Sequence, residues 1–291
     1  LLAATASAAA TARPAPAATL VLDNVYALHG PAMNLQASNF APQGIGYDPV
    51  ANELLFMLQG SKVIARANLQ GQLVGLHTVP TFNHTTSIAS DGTNYYFSDY
   101  TSNTAGFDLY SVAKAGGTAT AISSETLAYG GTPIDVRDGL LYRTNVSTSY
   151  DYANLNQIRV SSLASPDTIT STINFGAGVS IWDFSVDAAS DSIFVLGGPT
   201  NATLSRYNMQ GQLQDSFGVP VANADGMTFA NGKLYLYDWK NGNGASTLSV
   251  YSVNGLSGAV PEPATWAMMI GGLALAGGAM RRRASITLRA A

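Results

Sequence analysis

Apolar and polar residues alternate along most of residues 20–258, in short runs separated by Gly, Asn and Asp. Alternation with a period of two over four to eight residues predicts half-buried β-strands. Asp-Gly or Asn-Gly pairs stand between two such runs at residues 91–92, 138–139 and 231–232. Both residues of these pairs tolerate positive φ, which a tight hairpin requires. The pattern therefore predicts an all-β fold for this part of the chain.

The strand pattern repeats with a long period. The sequence Asn-Leu-Gln-Gly-Gln-Leu at residues 68–73 returns as Asn-Met-Gln-Gly-Gln-Leu at residues 208–213, which corresponds to three periods of about 47 residues. Further turns follow alternating strands at residues 114–118, 164–167 and 253–255. Because a hairpin precedes each of these turns, the chain is predicted to contain five similar units.

Four-stranded units that recur about every 45 residues are typical of β-propeller blades. One blade cannot bury both of its faces, whereas blades stacked in a ring bury them against each other. The fifth unit lacks an outer strand, while a spare alternating strand lies at residues 20–28. We predict a five-bladed propeller in which that strand completes the last blade. Six blades are the alternative, if residues 29–43 form a degenerate unit.

Composition narrows the class of protein. Only 11% of the 291 residues are charged, less than half of the usual ~25%, and the net charge is −4. An acidic balance of this kind disfavours a nucleic-acid binder. The chain has no cysteine, which excludes disulfides, thiolate metal sites and cysteine nucleophiles. These features are typical of an exported bacterial surface protein.

The first residues predict export. Residues 1–12 are small and apolar, contain Ala-x-Ala cleavage patterns, and precede Arg13 and a Pro-Ala-Pro segment. We interpret residues 1–12 as the remnant of a signal peptide for the Sec export machinery and residues 13–19 as a linker. Neither Met nor a basic segment precedes it, so we expect the true start to lie upstream. An alanine-rich terminus without a role in export is the alternative.

The C-terminal end is more specific. Pro261, Glu262 and Pro263 precede an apolar run at residues 266–280, and Arg281, Arg282 and Arg283 follow it. That run would form a helix of about 23 Å, shorter than the ~30 Å hydrocarbon core of a bilayer. The arginines would hold its end in the cytoplasm and leave residues 20–258 outside. We predict a single transmembrane helix at residues 264–280 within a sorting segment at residues 260–283, followed by a short tail at residues 284–291.

The order of Pro-Glu-Pro, apolar helix and arginine cluster resembles the PEP-CTERM sorting signal of Gram-negative bacteria, and Trp266 matches its PEPxxWA variant. The resemblance implies that an exosortase in the inner membrane recognises and processes the chain near Pro-Glu-Pro. It further implies a link to exopolysaccharide and the cell surface. The likeness covers about 24 residues, and residues 284–291 depart from it. An ordinary tail anchor is the alternative.

Acidic residues recur at equivalent hairpin positions of the repeat: Asp48, Asp91, Asp138 and Asp187. They could form a ring of ligands, or they could bind the backbone of their own turns. Because Asn231 replaces the carboxylate in the fifth unit without disturbing the pattern, we favour the turn role.

The starts of the inner strands would line the mouth of the propeller channel. Three of the residues there, His84, Asp183 and Asp225, are candidate catalytic groups, with Trp182 as a neighbouring platform. Asp135, Asp183 and Asp225 are candidate Ca²⁺ ligands, since this ion prefers oxygen. The alternative is a polar channel mouth that holds water, with no metal and no cofactor.

The sequence contains no motif of nucleophilic catalysis, such as G-x-S-x-G, and no phosphate-binding loop. Several aromatic residues could stack on sugars or fill the core between blades: Tyr95, Tyr96, Tyr100, Tyr150, Tyr152, Tyr235, Tyr237 and Trp239. Their alternation along strands favours the core. We therefore expect a non-enzymatic surface scaffold or binding module associated with exopolysaccharide. A secreted hydrolase or lyase that acts on extracellular polysaccharide is the rival hypothesis.

Overall fold

The computed structural model describes residues 17–28, 42–58, 62–79, 85–102, 106–123, 133–144, 155–197, 203–218, 224–238 and 246–256. The chain divides into two compact units, residues 1–256 and residues 257–291, and all described residues belong to the first. The predicted signal remnant and sorting segment lie outside the described residues. Within the described part, no helix is long and apolar enough to cross a membrane.

The described residues form five four-stranded antiparallel sheets, which we call blades 1 to 5. The first strand, β1 (Thr19–Ala27), belongs to the last blade. Blade 1 consists of β2 (Pro42–Asp48), β3 (Glu53–Leu58), β4 (Val63–Ala67) and β5 (Leu73–Thr78). Blade 2 consists of β6 (Thr85–Ser90), β7 (Asn94–Ser102), β8 (Gly106–Ala113) and β9 (Thr120–Ala121).

Blade 3 consists of β10 (Ile134–Arg137), β11 (Leu140–Thr144), β12 (Gln157–Ser162) and β13 (Ser165–Asn174). Blade 4 consists of β14 (Ile181–Asp187), β15 (Ser192–Gly197), β16 (Thr203–Asn208) and β17 (Leu213–Gly218), with a single 3₁₀ turn at Ala188–Ser190. Blade 5 consists of β18 (Ala224–Ala230), β19 (Lys233–Asp238), β20 (Thr247–Asn254) and β1.

The inner strands of the five blades form a closed ring. In chain order β2, β6, β10, β14 and β18 each contact the next, and β18 contacts β2. Strand β1 pairs with β20 from Thr19–Asn254 to Ala27–Thr247, with one irregularity at Asp23. The predicted five-bladed ring and its completion by the N-terminal strand are therefore confirmed.

The hairpins follow the turn chemistry of the sequence. Asp138 and Asn231 have φ of 52° and 50°, and the glycine after each also has positive φ. In the longer hairpins the carboxylates bind their own backbone instead: Asp48 accepts the N–H groups of Val50 and Ala51, and Asp91 those of Thr93 and Asn94. The interpretation of Asp48 and Asp91 as turn residues is confirmed.

The core lies between adjacent blades. Tyr95, Tyr96, Tyr235 and Tyr237 are buried there, which confirms the core role for these four rings. The other four aromatic candidates have side chains that lie outside the described residues: Tyr100, Tyr150, Tyr152 and Trp239. The outer strands are more variable than the repeat suggests, since β9 has two residues and β13 has ten.

Candidate functional site

Three of the predicted channel-mouth residues lie near the starts of inner strands. Asp135 is the second residue of β10, Asp183 the third of β14 and Asp225 the second of β18. His84 is outside the described residues. The structure thus places the three carboxylates on three consecutive blades, and their contacts differ.

Asp135 connects blade 3 to blade 4. Its Oδ2 accepts the N–H of Val186 at 2.8 Å and the hydroxyl of Ser185 at 3.1 Å, while Oδ1 accepts the N–H of Val136. Burial raises the pKa of this carboxyl, and the charge of Arg137, at 3.2 Å, opposes that rise. Both oxygens of Asp135 are therefore engaged in the packing of the ring.

Asp183 makes the equivalent connection from blade 4 to blade 5. Its Oδ2 accepts the N–H of Met227 at 2.7 Å, and its Oδ1 accepts the N–H of Phe184 at 2.8 Å. Burial raises the pKa of Asp183 to about 8, with a smaller contribution from the charge of Asp135. This carboxyl is therefore mainly protonated at neutral pH.

Arg137 extends the same network across three blades. From β10 it donates Nε to the carbonyl of Val186 at 2.9 Å and a terminal nitrogen to the carbonyl of Phe229 at 3.1 Å. Ser185 in turn accepts the N–H of Phe229 at 2.8 Å. Backbone groups of blades 4 and 5 are thus satisfied by side chains of their neighbours, which fixes the blades relative to each other.

Asp225 is different because its carboxyl is only partly buried. Burial, followed by the charge of Asp238 at the end of β19, raises the pKa of Asp225 to about 6. The next residue, Gly226, lies against the backbone of Ile45 in blade 1, where a Cβ would be 3.3 Å from the nitrogen. Trp182, the predicted platform, is half-buried against the core cluster that blades 3, 4 and 5 share.

Among the residues that the structure describes, no three His, Asp or Glu side chains converge in a way that could hold a metal ion. The oxygens of Asp135 and Asp183 accept hydrogen bonds from neighbouring backbone groups, as described above. The Ca²⁺ site and the catalytic roles of His84, Asp183 and Asp225 stay predictions.

The sequence reasoning missed another polar cluster, which lies between blades 1 and 2. It contains Glu53, Arg66 and His77 from blade 1 and Tyr95 from blade 2, and we call it the Arg66 cluster. The sequence repeat contains a feature that could have indicated this cluster. Arg66 and Gly75 stand 140 positions before Arg206 and Asp215, the same offset as the repeated Asn-x-Gln-Gly-Gln-Leu segment.

Five four-stranded blades in a ring closed by the N-terminal strand define a five-bladed β-propeller. The fold is similar to that of glutaminyl cyclase from Myxococcus xanthus, with a TM-score of 0.55 and 13% identity over 80% of this chain and 96% of that one. It is also similar to a chain of a nidogen/laminin complex, with a TM-score of 0.51 and 18% identity over 69% of this chain and 73% of that one. At these identities the likeness concerns the fold.

Residues 259–283 match the PEP-CTERM protein-sorting motif. The match covers Pro261, Glu262, Pro263, Trp266 and the arginine cluster at residues 281–283. No curated protein matches the chain. The chain is thus a five-bladed propeller that carries a PEP-CTERM sorting motif, and the motif implies export, processing by an exosortase and sorting to the cell surface.

Proposed function

We propose that this propeller acts at the cell surface, or outside the cell, as a scaffold or binding module for exopolysaccharide. The observation that carries the proposal is the PEP-CTERM motif, which begins at residue 259, shortly after the last strand of the ring ends at Asn254. In this proposal the predicted helix at residues 264–280 anchors the protein in the membrane for a short time, and the sorting segment directs the propeller to the cell surface.

The surface chemistry of the ring supports contact with a hydrated polymer. The outer strand of blade 3 exposes the hydroxyl-bearing residues Thr168, Ser171 and Thr172 and carries one charged residue, Asp167. Hydroxyl groups exchange hydrogen bonds with the hydroxyls of a polysaccharide without the cost of desolvating a charge. A rigid, weakly charged ring of this kind suits a structural partner of the extracellular matrix.

A second candidate function is a hydrolase or lyase that acts on extracellular polysaccharide. The specific observation in its favour is the pair of raised pKa values, about 8 for Asp183 and about 6 for Asp225. Carboxyl groups whose pKa values differ can divide the roles of acid and base. Exchange of Asp225 for Asn would then abolish turnover and leave the fold intact.

One experiment separates the two functions. The full-length protein in mild detergent is mixed with the exopolysaccharide of its source organism, and the size of the polymer is followed by light scattering. We expect the polymer to keep its length and to elute together with the protein. A shortened polymer would support the enzyme, whereas neither co-elution nor shortening would overturn both proposals.

A further inference from the structure

A group of polar side chains fills part of the interface between blades 1 and 2. Arg66 lies opposite Leu55 in the sheet of blade 1, and Leu55 packs in one core cluster with Tyr95 of blade 2. The ring of His77, from outer strand β5, meets the ring of Tyr95 edge to face at 5.2 Å. These contacts place the Arg66 cluster on the face of blade 1 that is directed at blade 2.

The charges of this interface balance. Glu53 Oε2 is 3.4 Å from Arg66 Nε, and Asp48 forms an ion pair with Lys114, which follows the third strand of blade 2. Burial raises the pKa of Tyr95, a hydrogen bond with Arg66 and the charges of Arg66 and Lys114 lower it, and the charge of Asp48 raises it slightly. Two carboxylates and two cations therefore lie at this interface and neutralise each other.

Four polar atoms of the Arg66 cluster are buried without a hydrogen-bond partner among the described residues: Glu53 Oε2, Arg66 Nε, His77 Nε2 and Tyr95 Oη. The Glu53–Arg66 ion pair joins two of these atoms, and Arg66 is also within hydrogen-bonding reach of the Tyr95 hydroxyl, so His77 Nε2 is the one of the four with no polar contact in the described part of the chain. Tyr95 itself is fully buried. Because buried polar groups almost always have a full set of partners, the bare His77 nitrogen and the Tyr95 hydroxyl beside it point to a bound hydrogen-bonding molecule.

The four atoms offer both donors and acceptors. Burial, followed by the nearby charge of Arg66, lowers the pKa of His77, so the imidazole is neutral at pH 7 and has one accepting nitrogen. Tyr95 keeps its proton and can donate. With Arg66 as a second donor and Glu53 as a second acceptor, the cluster matches a group that both donates and accepts, as a hydroxyl does.

Blade 4 contains the same arrangement in a closed form. Arg206 lies opposite Asp215 in the sheet, as Arg66 lies opposite Gly75, and an irregularity follows the arginine in both blades. Arg206 donates Nε to Asp215 Oδ2 at 2.7 Å and contacts the hydroxyl of Ser192 at 3.4 Å. In blade 4 the neighbouring strand therefore supplies the partner that glycine cannot supply in blade 1.

Glycine at position 75 leaves room for the Arg66 side chain at the rim of the ring. A Cβ there would be 2.9 Å from a terminal nitrogen of Arg66, so the guanidinium occupies the space that a side chain would take. The Arg66 side chain is 32% exposed, against 10% for Arg206. Because the polar atoms of the cluster are buried, a ligand can reach them only if the partly exposed Arg66 side chain moves.

We propose that the Arg66 cluster binds one uncharged sugar residue of the extracellular polysaccharide through its hydroxyl groups. This inference rests on the proposed function and names its ligand site. A cation would meet Arg66 and Lys114, and an anion would meet Asp48 and Glu53, whereas a neutral polyol meets a balanced set of donors and acceptors.

The test compares three variants with the wild type for binding to the immobilised exopolysaccharide of the source organism, with full-length protein in detergent. Gly75→Asp copies the closed arrangement of blade 4, and Tyr95→Phe removes a single hydroxyl. Gly218→Asp is the matched control, since it adds the same side chain to an outer strand at an exposed glycine with no atom within 4 Å. Melting temperatures are measured alongside.

We expect Gly75→Asp and Tyr95→Phe to weaken binding by at least about tenfold, and Gly218→Asp to bind like the wild type. Free glucose, galactose or mannose should compete with the polymer for the wild type. A purely structural cluster would change the melting temperature and leave binding unaltered. If all variants bind the polymer equally, the site is wrong and the proposed function stands; if the wild type does not bind, both fail.

Discussion

Two acidic residues of the inner strands, Asp135 and Asp183, join one blade to the next. Asp135 and Asp183 accept backbone N–H groups of residues 51 and 44 positions away, and Ser185 does the same for Phe229. An inner strand has its in-sheet partner on one side only, so a side chain of the previous blade satisfies groups on its other side. The buried position that makes this contact also raises the pKa of each carboxyl.

The raised pKa of Asp183 predicts how stability depends on pH. Its value of about 8 in the folded protein lies above the 3.8 of the free side chain. Between these values the folded state holds a proton that the unfolded state has lost, so the free energy of unfolding falls as the pH rises. We expect the melting temperature of the wild type to fall between pH 5 and pH 8, and that of Asp183→Asn to fall less.

Asp225→Asn is the control for this measurement. Because the pKa of Asp225 is about 6, its exchange should flatten the profile only below that pH. The measurement is thermal unfolding in buffers of equal ionic strength from pH 4 to pH 9. Parallel profiles of the wild type and Asp183→Asn above pH 6 would contradict the assignment.

Strand β1 closes the ring from the opposite end of the chain, and side chains of blades 4 and 5 hold it. The N–H of Ala18 donates to Asp215 Oδ1 at 2.9 Å, so the carboxylate that neutralises Arg206 also fixes the start of the strand. Near the irregularity in β1, Asp23 accepts Lys233 and the hydroxyl of Ser252. The buried contact of Asp215 and the exposed contact of Asp23 thus both hold β1 in the ring.

These two contacts predict unequal effects on stability. Asp215→Ala leaves the buried Arg206 without its carboxylate and Ala18 without its acceptor, which should cost about 3–5 kcal/mol of unfolding free energy. Lys233→Ala removes only an exposed ion pair and should change stability little. Urea unfolding of both variants measures the difference. Equal losses, or a loss below that of Lys233→Ala, would show that Asp215 does not secure the closing strand.

Local patterns predicted the blades well because each blade is built from neighbours in sequence. The period, the tight hairpins and the spare strand at residues 20–28 all follow from short-range rules. Contacts between blades do not, because residues such as Asp135 and Val186 meet only when the ring closes. Asp135 and Asp183 were therefore expected at an open channel mouth, whereas their carboxylates bind the next blade.

The Arg66 cluster shows what closer use of the repeat could have found. The equivalence of Gly75 with Asp215 is visible in the sequence, but its meaning requires the register in which both face an arginine. Neither residue carries a recognisable motif. When one copy of a repeat has lost the residue that pairs with an arginine in another copy, that position is a candidate site. The strand register is needed to recognise which residues correspond.

At the scale of the whole molecule, both ends of the body leave the ring at one place. Thr19 pairs with Asn254, and a Cβ on Gly255 would be 3.3 Å from the carbonyl of Ala17. The sorting motif begins at residue 259, only a few residues after this point. The predicted export signal and the sorting motif thus flank, in the sequence, a ring that closes on itself, and neither contributes a strand to the described blades.

Sorting and folding should therefore be separable. Replacement of Pro261, Glu262 and Pro263 by Ala changes the motif that the exosortase recognises and leaves every described strand intact. We expect this variant to accumulate in the membrane fraction at its unprocessed size, with a body that melts like the wild type. The measurement is cell fractionation with immunoblotting, and Ala substitutions at residues 257 and 258 provide the matched control. A ring that folds independently needs the sorting motif only to reach its destination. Normal processing of the variant would show that the motif is not needed for sorting, and a lowered melting temperature would show that it is needed for folding; either result would contradict the prediction.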